Sequence, residues 1–144
     1  MDATVINHWR TPSWQVIAVA FGVGVAMAVL SWPLAGLLPP VQTKVPLWAF
    51  PFLSLISSPL EEWFFRGVLL KRLATAIRAV PALILTSALF AMVHLSLPSF
   101  PIRFAAGVVL GILYLRTRSL WPSIVAHYVH NAVLVVLTAL IQSR

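Results

Sequence analysis

Residues 14–38, WQVIAVAFGVGVAMAVLSWPLAGLL, form a continuous apolar stretch without one ionisable side chain. An α-helix needs about 20 mainly apolar residues to cross the hydrocarbon core of a bilayer. The stretch therefore predicts a membrane-spanning helix, which Pro39-Pro40 is expected to end. A secretory signal is the alternative, but its apolar core is usually only about 7–15 residues long, so we expect a retained span.

The rest of the chain repeats this pattern of apolar runs between prolines and basic residues. Hydrophobic residues make up 60% of the 144 residues and charged residues 9%, against about 45–50% and about 25% in soluble domains. A single soluble core of this size cannot bury that much apolar surface. The sequence therefore predicts an all-α, polytopic transmembrane bundle of about five spans. The later four spans are expected at residues 46–70, 81–97, 104–115 and 120–141.

Local patterns refine these helices. Ser57-Ser58-Pro59 is typical of a cap followed by proline at the first helical position, so we expect the second span to restart or kink there. The fourth span is short and can instead be re-entrant. Small residues four apart favour close helix packing, which we expect for the fourth span at Gly107 and Gly111. The first span has a similar series at Gly22, Gly24, Ala26 and Ala28.

The basic residues predict the orientation of the bundle. The formal net charge is +7, and the basic residues lie singly or in pairs between apolar runs, which indicates anionic lipid headgroups rather than nucleic acid as partner. Basic residues are enriched on the cytoplasmic side of membrane proteins. An N-in, C-out arrangement puts six of them inside and three outside. The inner set is Arg10, Lys71, Arg72, Arg78, Arg116 and Arg118, and the outer set is Lys44, Arg103 and Arg144.

Polar residues inside the predicted spans indicate a functional site, because a charge at the bilayer centre costs about 3 kcal/mol on insertion scales. With a rise of about 1.5 Å per residue, their positions on spans two, three and five fall at overlapping depths. One polar cluster near the middle of the membrane is therefore expected. Its candidate members are Glu61, Glu62, Arg66, His94, His127, His130 and Asn131.

The spacing and chemistry of this set fit peptide hydrolysis without a covalent intermediate. Glu62 and Arg66 are four residues apart and can pair, and His127 and Asn131 can project from one helix face. A carboxylate can act as general base on water, a histidine can orient that water, and imidazole and amide groups can stabilise an oxyanion.

Other protease chemistries lack their residues in this sequence. There is no cysteine, and the single aspartate, Asp2, excludes an aspartyl dyad. The sequence contains neither His-Glu-x-x-His, the helical zinc-protease motif, nor Gly-x-Ser-x-Gly. Any carboxylate chemistry within the spans must use Glu61 or Glu62.

Three motifs resemble those of the CPBP family, the CAAX-protease and bacteriocin-processing proteins, also called Abi. Residues 61–66, EEWFFR, resemble its Glu-Glu-x-x-x-Arg motif, and residues 90–94, FAMVH, resemble its Phe-x-x-x-His motif. Residues 127–131, HYVHN, resemble its His-x-x-x-Asn motif. Each motif alone is weak, but three in order, each on a predicted span, are specific. The resemblance covers residues 46–131.

The resemblance implies a glutamic intramembrane endopeptidase similar to the Rce1-type CAAX prenyl endopeptidases. Its substrate would be a peptide or protein in the membrane, or a lipid-modified peptide. Glu61 would be the general base that activates water, and His94 would assist it. His127 and Asn131 would form the oxyanion hole. No cofactor is expected in this mechanism.

The neighbouring residues have more than one interpretation. Glu62 and Arg66 would hold their helix in position, as a structural ion pair also would, although Glu62 is an alternative base. His130 competes with His127 because it lies three residues further on nearly the same face. The family pattern favours His127 as the residue that contacts the substrate, and His130 would then support it from outside the site.

Two alternatives to the glutamate mechanism stay open at this stage. The first is a zinc-dependent protease that uses Glu61, His94 and His127 as ligands. The second is a non-enzymatic membrane protein that binds a peptide, as an immunity or scaffold protein does. A proton-coupled transporter is disfavoured because the chain shows no internal repeat.

The resemblance also bears on domains and location. It divides the chain into residues 1–45, an N-terminal segment with the first span, and residues 46–144, the protease-like core. Short relatives of this kind are bacterial, so we expect a multi-pass protein of the plasma (inner) membrane of a bacterium.

Overall fold

The computed structural model describes residues 9–35 and 46–142, and all regular structure within them is helical. The α-helices are α1 (Trp14–Ala35), α2 (Phe50–Glu62), α3 (Lys71–Ile77), α4 (Ala79–Met92), α5 (Phe100–Thr117) and α6 (Trp121–Gln142). A 3₁₀ turn (Leu47–Ala49) precedes α2, and a π-helical segment (Trp63–Leu70) connects α2 to α3.

Helix α2, the π-helical segment and α3 form one continuous helical rod. The junction residues Trp63 and Lys71 keep right-handed helical dihedral angles, so the chain does not turn between them. The described residues thus form five rods, as the sequence predicted. Helices α1, α5 and α6 contain stretches that are long and apolar enough to cross a membrane, and α4 is apolar but shorter. The predicted class, an all-α helical membrane bundle, is confirmed.

The predicted helix restart at Pro59 is wrong. Helix α2 begins at Phe50 with a proline, Pro51, in its first turn, and it continues through Pro59. Ser58 does not cap a helix, because its hydroxyl shares a 3.0 Å hydrogen bond with that of Ser54. Neighbouring hydroxyl groups allow membrane helices to tolerate an internal proline. The departure from α geometry comes only after Glu62, as the π-helical segment.

The predicted ends of the third and fourth spans also need correction. Helix α4 ends at Met92 rather than near residue 97, and Leu95 reverses the chain with a positive φ of 52°. Helix α5 begins at Phe100 because Pro101 is accommodated in its first turn, where an N–H group needs no partner. With 18 residues, α5 is long enough to span, so the prediction of a short segment is wrong.

The glycines of α5 allow close packing against α4, as predicted. A Cβ atom at Gly107 would lie 3.0 Å from the Cα atom of Ser87, and one at Gly111 would meet the Leu83 side chain. An added Cβ atom would press on the α4 backbone at Gly107, whereas at Gly111 the end of the Leu83 side chain can move, so α4 and α5 approach each other most closely at Gly107.

Helix α1 packs against α6 through one of its two glycines. A Cβ atom at Gly24 would lie 2.5 Å from the carbonyl oxygen of Ala126, whereas one at Gly22 would meet open space. The predicted packing role is therefore confirmed for Gly24 and wrong for Gly22. The expected stop at Pro39-Pro40 lies outside the described residues, and the division at residues 45/46 stays a prediction.

Candidate active site

The polar cluster is centred on Glu62, the last residue of α2. Its side chain is fully buried, and its Oε1 atom accepts a 2.9 Å hydrogen bond from Nη1 of Arg66. The same oxygen lies 2.8 Å from Nδ1 of His127 on α6. Because an ionised carboxylate only accepts hydrogen bonds, Nδ1 of His127 carries a proton and donates it. Glu62 therefore fixes both the arginine and the orientation of the imidazole.

Arg66 connects the π-helical segment to α4 and α5. Its Nη2 group donates to the carbonyl oxygen of Gly107 at 3.1 Å, and its guanidinium lies 4.7 Å from the centre of the Phe90 ring. A buried charge needs such a set of partners to offset its lost hydration. The predicted pairing of Glu62 with Arg66 is confirmed, and it holds three helical elements together.

Glu61 faces the same imidazole from the other side. Its Oε2 atom lies 3.9 Å from Nε2 of His127, and its side chain is 30% exposed while that of Glu62 is fully buried. No hydrogen bond within the described part of the chain reaches this buried Oε2 atom. His127 thus lies between two carboxylates, fixed to Glu62 and separated from Glu61 by a gap.

His94 lies just beyond the last residue of α4. Its Nδ1 donates to the carbonyl oxygen of Phe90 at 2.7 Å. The Phe90 ring contacts the His94 ring edge-on at 5.1 Å and the His127 ring at 5.7 Å. His94 also interacts electrostatically with Glu61 and His127. The histidine is therefore close to the cluster, without a direct hydrogen bond to either glutamate.

Asn131 joins the cluster through a serine that the sequence analysis did not single out. Its Nδ2 donates to the Ser54 hydroxyl at 3.0 Å, which in turn shares a hydrogen bond with Ser58. Ser54 pairs with Asn131 and Glu62 pairs with His127, so α2 and α6 run antiparallel with facing polar stripes. A four-residue period of polar residues at positions 54, 58, 62 and 66 was the available sequence signal.

His130, the predicted competitor of His127, occupies a different position. It is buried, and its Nδ1 atom has no hydrogen-bond partner among residues 9–35 and 46–142. It interacts electrostatically with His127, whereas the contacts to both glutamates come from His127. Of the two histidines, His127 is the one that the fold brings between the carboxylates.

The described residues do not form a zinc site. No group of three or more His, Cys, Asp or Glu side chains in the described ranges could hold a metal ion. His127 uses Nδ1 to bind Glu62, and His94 uses Nδ1 to bind a backbone carbonyl. The atoms that face each other are then Oε2 of Glu61 and Nε2 of His127, which is two ligand atoms. Zinc sites in proteases use three protein ligands.

The fold and the cluster define a polytopic helical membrane protein with a Glu–His–Arg centre buried between its helices. Residues 42–133 match the family model described as type II CAAX prenyl endopeptidase Rce1-like. The chain belongs to this family, which agrees with the resemblance of its three motifs.

A curated relative supports the same assignment. The membrane-embedded CAAX protease MroQ of Staphylococcus aureus (strain USA300) is 30% identical over 102 residues. The aligned region covers 67% of this chain and 41% of the relative, so the chain spans about two fifths of that protein's length. No solved structure matches the chain.

Proposed function

We propose that the protein is an intramembrane endopeptidase of a bacterial plasma membrane that hydrolyses a peptide bond of a membrane-associated or lipid-modified substrate. Glu61 is the general base of the reaction, and water is the nucleophile. The observation that carries this proposal is the position of Glu61: its Oε2 atom faces Nε2 of His127 across 3.9 Å, and its side chain is 30% exposed whereas that of Glu62 is fully buried. The family and the staphylococcal protease relative support a proteolytic activity.

In the proposed mechanism one water molecule binds to both of these atoms. At 3.9 Å the two atoms are too far apart for a direct hydrogen bond, but a water about 2.8 Å from each bridges them. When the His127 ring carries a single proton, on Nδ1, the Nε2 atom is an acceptor. The water then donates one hydrogen to Glu61 and the other to His127, and its lone pair is free to attack a carbonyl carbon.

The proton balance of the reaction follows from this arrangement. As the water oxygen bonds to the carbonyl carbon, Glu61 takes one water proton, and it returns this proton to the leaving amine as the C–N bond breaks. The second N–H of Asn131, which is not used by Ser54, is available for the oxyanion. His127 donates to that oxyanion only when both of its nitrogens are protonated, so we assign its main role to positioning the water.

Cleavage by the purified protein in lipid nanodiscs tests the mechanism. The probe is a fluorescent farnesylated peptide that ends in Cys-Val-Ile-Met, with an unmodified membrane peptide alongside it. We expect Glu61→Gln to lower kcat by about 100-fold or more, which is the usual contribution of a general base. Its unfolding temperature should equal that of the wild type, because the Glu61 side chain is partly exposed and makes no short ion pair.

A strong chelator is the matched control for the metal alternative. Activity should be unchanged in its presence. Loss of activity that zinc restores would instead assign the same residues to a metalloprotease. A Glu61→Gln variant that cuts as fast as the wild type would contradict the proposed base. If the wild type binds the peptides without cutting either, a non-enzymatic peptide-binding protein becomes the better description.

A further inference from the structure

Arg103 is a cation beside the cluster that the sequence analysis assigned to an outer loop. The structure has it in the first turn of α5, half-buried, with its Nε group donating to the Ser99 hydroxyl at 3.0 Å. The backbone N–H of Arg103 also donates to the Ser99 carbonyl oxygen at 3.0 Å. The first contact holds the side chain, and the second holds the backbone, at the turn that follows His94.

The outer edge of this guanidinium is unused within the described part of the protein. The carboxylates in that part are Glu61 and Glu62, and neither lies within 4.0 Å of Arg103. Its one side-chain hydrogen bond uses Nε, which leaves the two Nη groups without a protein acceptor. A half-buried guanidinium with free Nη groups matches a carboxylate, which can accept two parallel hydrogen bonds from them.

Arg103 lies on the side of α5 that faces the site. It precedes Gly107 by four residues, so the two share a helix face and are about 6 Å apart along the axis. The Gly107 carbonyl accepts a hydrogen bond from Arg66, which marks that face as the one against the cluster. Arg103 also interacts electrostatically with Glu61, His94 and His130.

We propose that Arg103 is a specificity residue that binds a carboxylate of the substrate. The inference rests on the proposed proteolytic function. The carboxylate is that of the substrate C-terminus or of an acidic side chain.

Three probe peptides separate these sources. The first is the fluorescent farnesylated peptide that ends in Cys-Val-Ile-Met with a free carboxylate, and the second is its C-terminal amide. The third is an amide that ends in Cys-Val-Glu-Met. Cleavage gives KM and kcat for each, and fluorescence anisotropy gives Kd independently of cleavage. The variants are Arg103→Gln and Arg103→Lys, with Arg116→Gln at the exposed opposite end of α5 as control.

We expect the amide to raise both KM and Kd about tenfold or more with little change in kcat, because a hydrogen-bonded charge pair is lost. Arg103→Gln should remove the difference between acid and amide, Arg103→Lys should keep part of it, and Arg116→Gln should keep all of it. If the third peptide binds more tightly than the second, Arg103 recognises a side-chain carboxylate. If it binds as weakly as the second, Arg103 recognises the C-terminal carboxylate.

Two results would overturn the inference. The first is that the wild type has equal KM and Kd for the peptide with a free C-terminal carboxylate and for its amide. A wild type that binds neither peptide counts as this result. The other is an equal fall of kcat for both peptides in Arg103→Gln, which would make the arginine a counter-charge of Glu61. Arg103-dependent binding of the acid without cleavage contradicts the proposed protease and leaves the carboxylate site standing.

Discussion

Glu61 and Glu62 are adjacent in the sequence but lie in different surroundings. Glu62 is fully buried, and one of its oxygens accepts hydrogen bonds from both Arg66 and His127. Glu61 is partly exposed and lies 3.9 Å from His127, and the Oε2 atoms of both glutamates have no partner in the described residues. A bound and buried carboxylate is suited to hold a structure, whereas an accessible one is suited to accept a proton.

This difference predicts opposite effects of the same substitution. Glu62→Gln leaves Arg66 buried without its anionic partner, and breaking a buried pair from one side typically costs about 3–5 kcal/mol. We expect a clearly lower unfolding temperature for Glu62→Gln in detergent, measured by fluorescence, and an unchanged one for Glu61→Gln. The double variant Glu62→Gln/Arg66→Met should recover part of the loss. Equal unfolding temperatures for both single variants would contradict this division of roles.

The sequence predicted the paired members of the cluster and missed the supporting ones. The pairing of Glu62 with Arg66 is predicted by their four-residue spacing within one helix, and this prediction needs no knowledge of the fold. Ser54 shares the same four-residue spacing, but its pairing with Asn131 depends on which helices become neighbours. The position of Arg103 beside the cluster depends on this too, and a single sequence with several similar apolar runs does not contain that information.

The close approach of α1 to α6 requires a glycine at position 24. A Cβ atom at Gly24 would lie 2.5 Å from the Ala126 carbonyl oxygen and 2.9 Å from the Cβ atom of Val129. The backbone of α6 cannot move away cheaply, because the same helix carries His127 into the cluster. Gly22 lies two residues earlier on the same helix with no atom within 4 Å of an added Cβ.

The pair Gly24→Ala and Gly22→Ala therefore forms a matched test of this contact. Overpacking of a closely packed contact costs about 1–3 kcal/mol, so Gly24→Ala should lower the unfolding temperature. Gly22→Ala should leave it unchanged or raise it, since alanine favours a helix over glycine. Thermal unfolding of both variants in the same detergent gives the comparison. A Gly22→Ala protein as unstable as Gly24→Ala would mean that α1 packs through another face.

The ends of helices were predicted less well than their existence, and proline explains most of the differences. A helix restart was expected at Pro59 and the fourth span was expected to begin at residue 104, yet α2 continues through Pro59 and α5 begins just before Pro101. A proline marks a helix end only when no alternative arrangement satisfies the backbone groups around it. The sequence shows the proline but not whether neighbouring hydroxyls or a first-turn position accommodate it.

The orientation of the whole molecule in the membrane stays a prediction, and it decides from which side a substrate reaches the site. Five crossings with the N-terminus inside put the turn between α4 and α5, at residues 93–99, on the outer side. His94 and Ser99 lie in that turn, and Arg103 lies one turn further into α5. A substrate carboxylate bound by Arg103 would therefore approach from outside the cell.

Single cysteines test this orientation without interference, because the native chain contains none. Leu97→Cys lies in the exposed turn between α4 and α5. Ala76→Cys lies at an exposed position near the end of α3, which the predicted orientation puts on the cytoplasmic side. A membrane-impermeant maleimide should label Leu97→Cys in intact cells and Ala76→Cys only after permeabilisation, with the unmodified chain as the blank. The reverse labelling pattern would show that the bundle has the opposite orientation in the membrane. The polar cluster would keep its geometry, but its substrates would then be proteins whose cleavage sites enter from the cytoplasm.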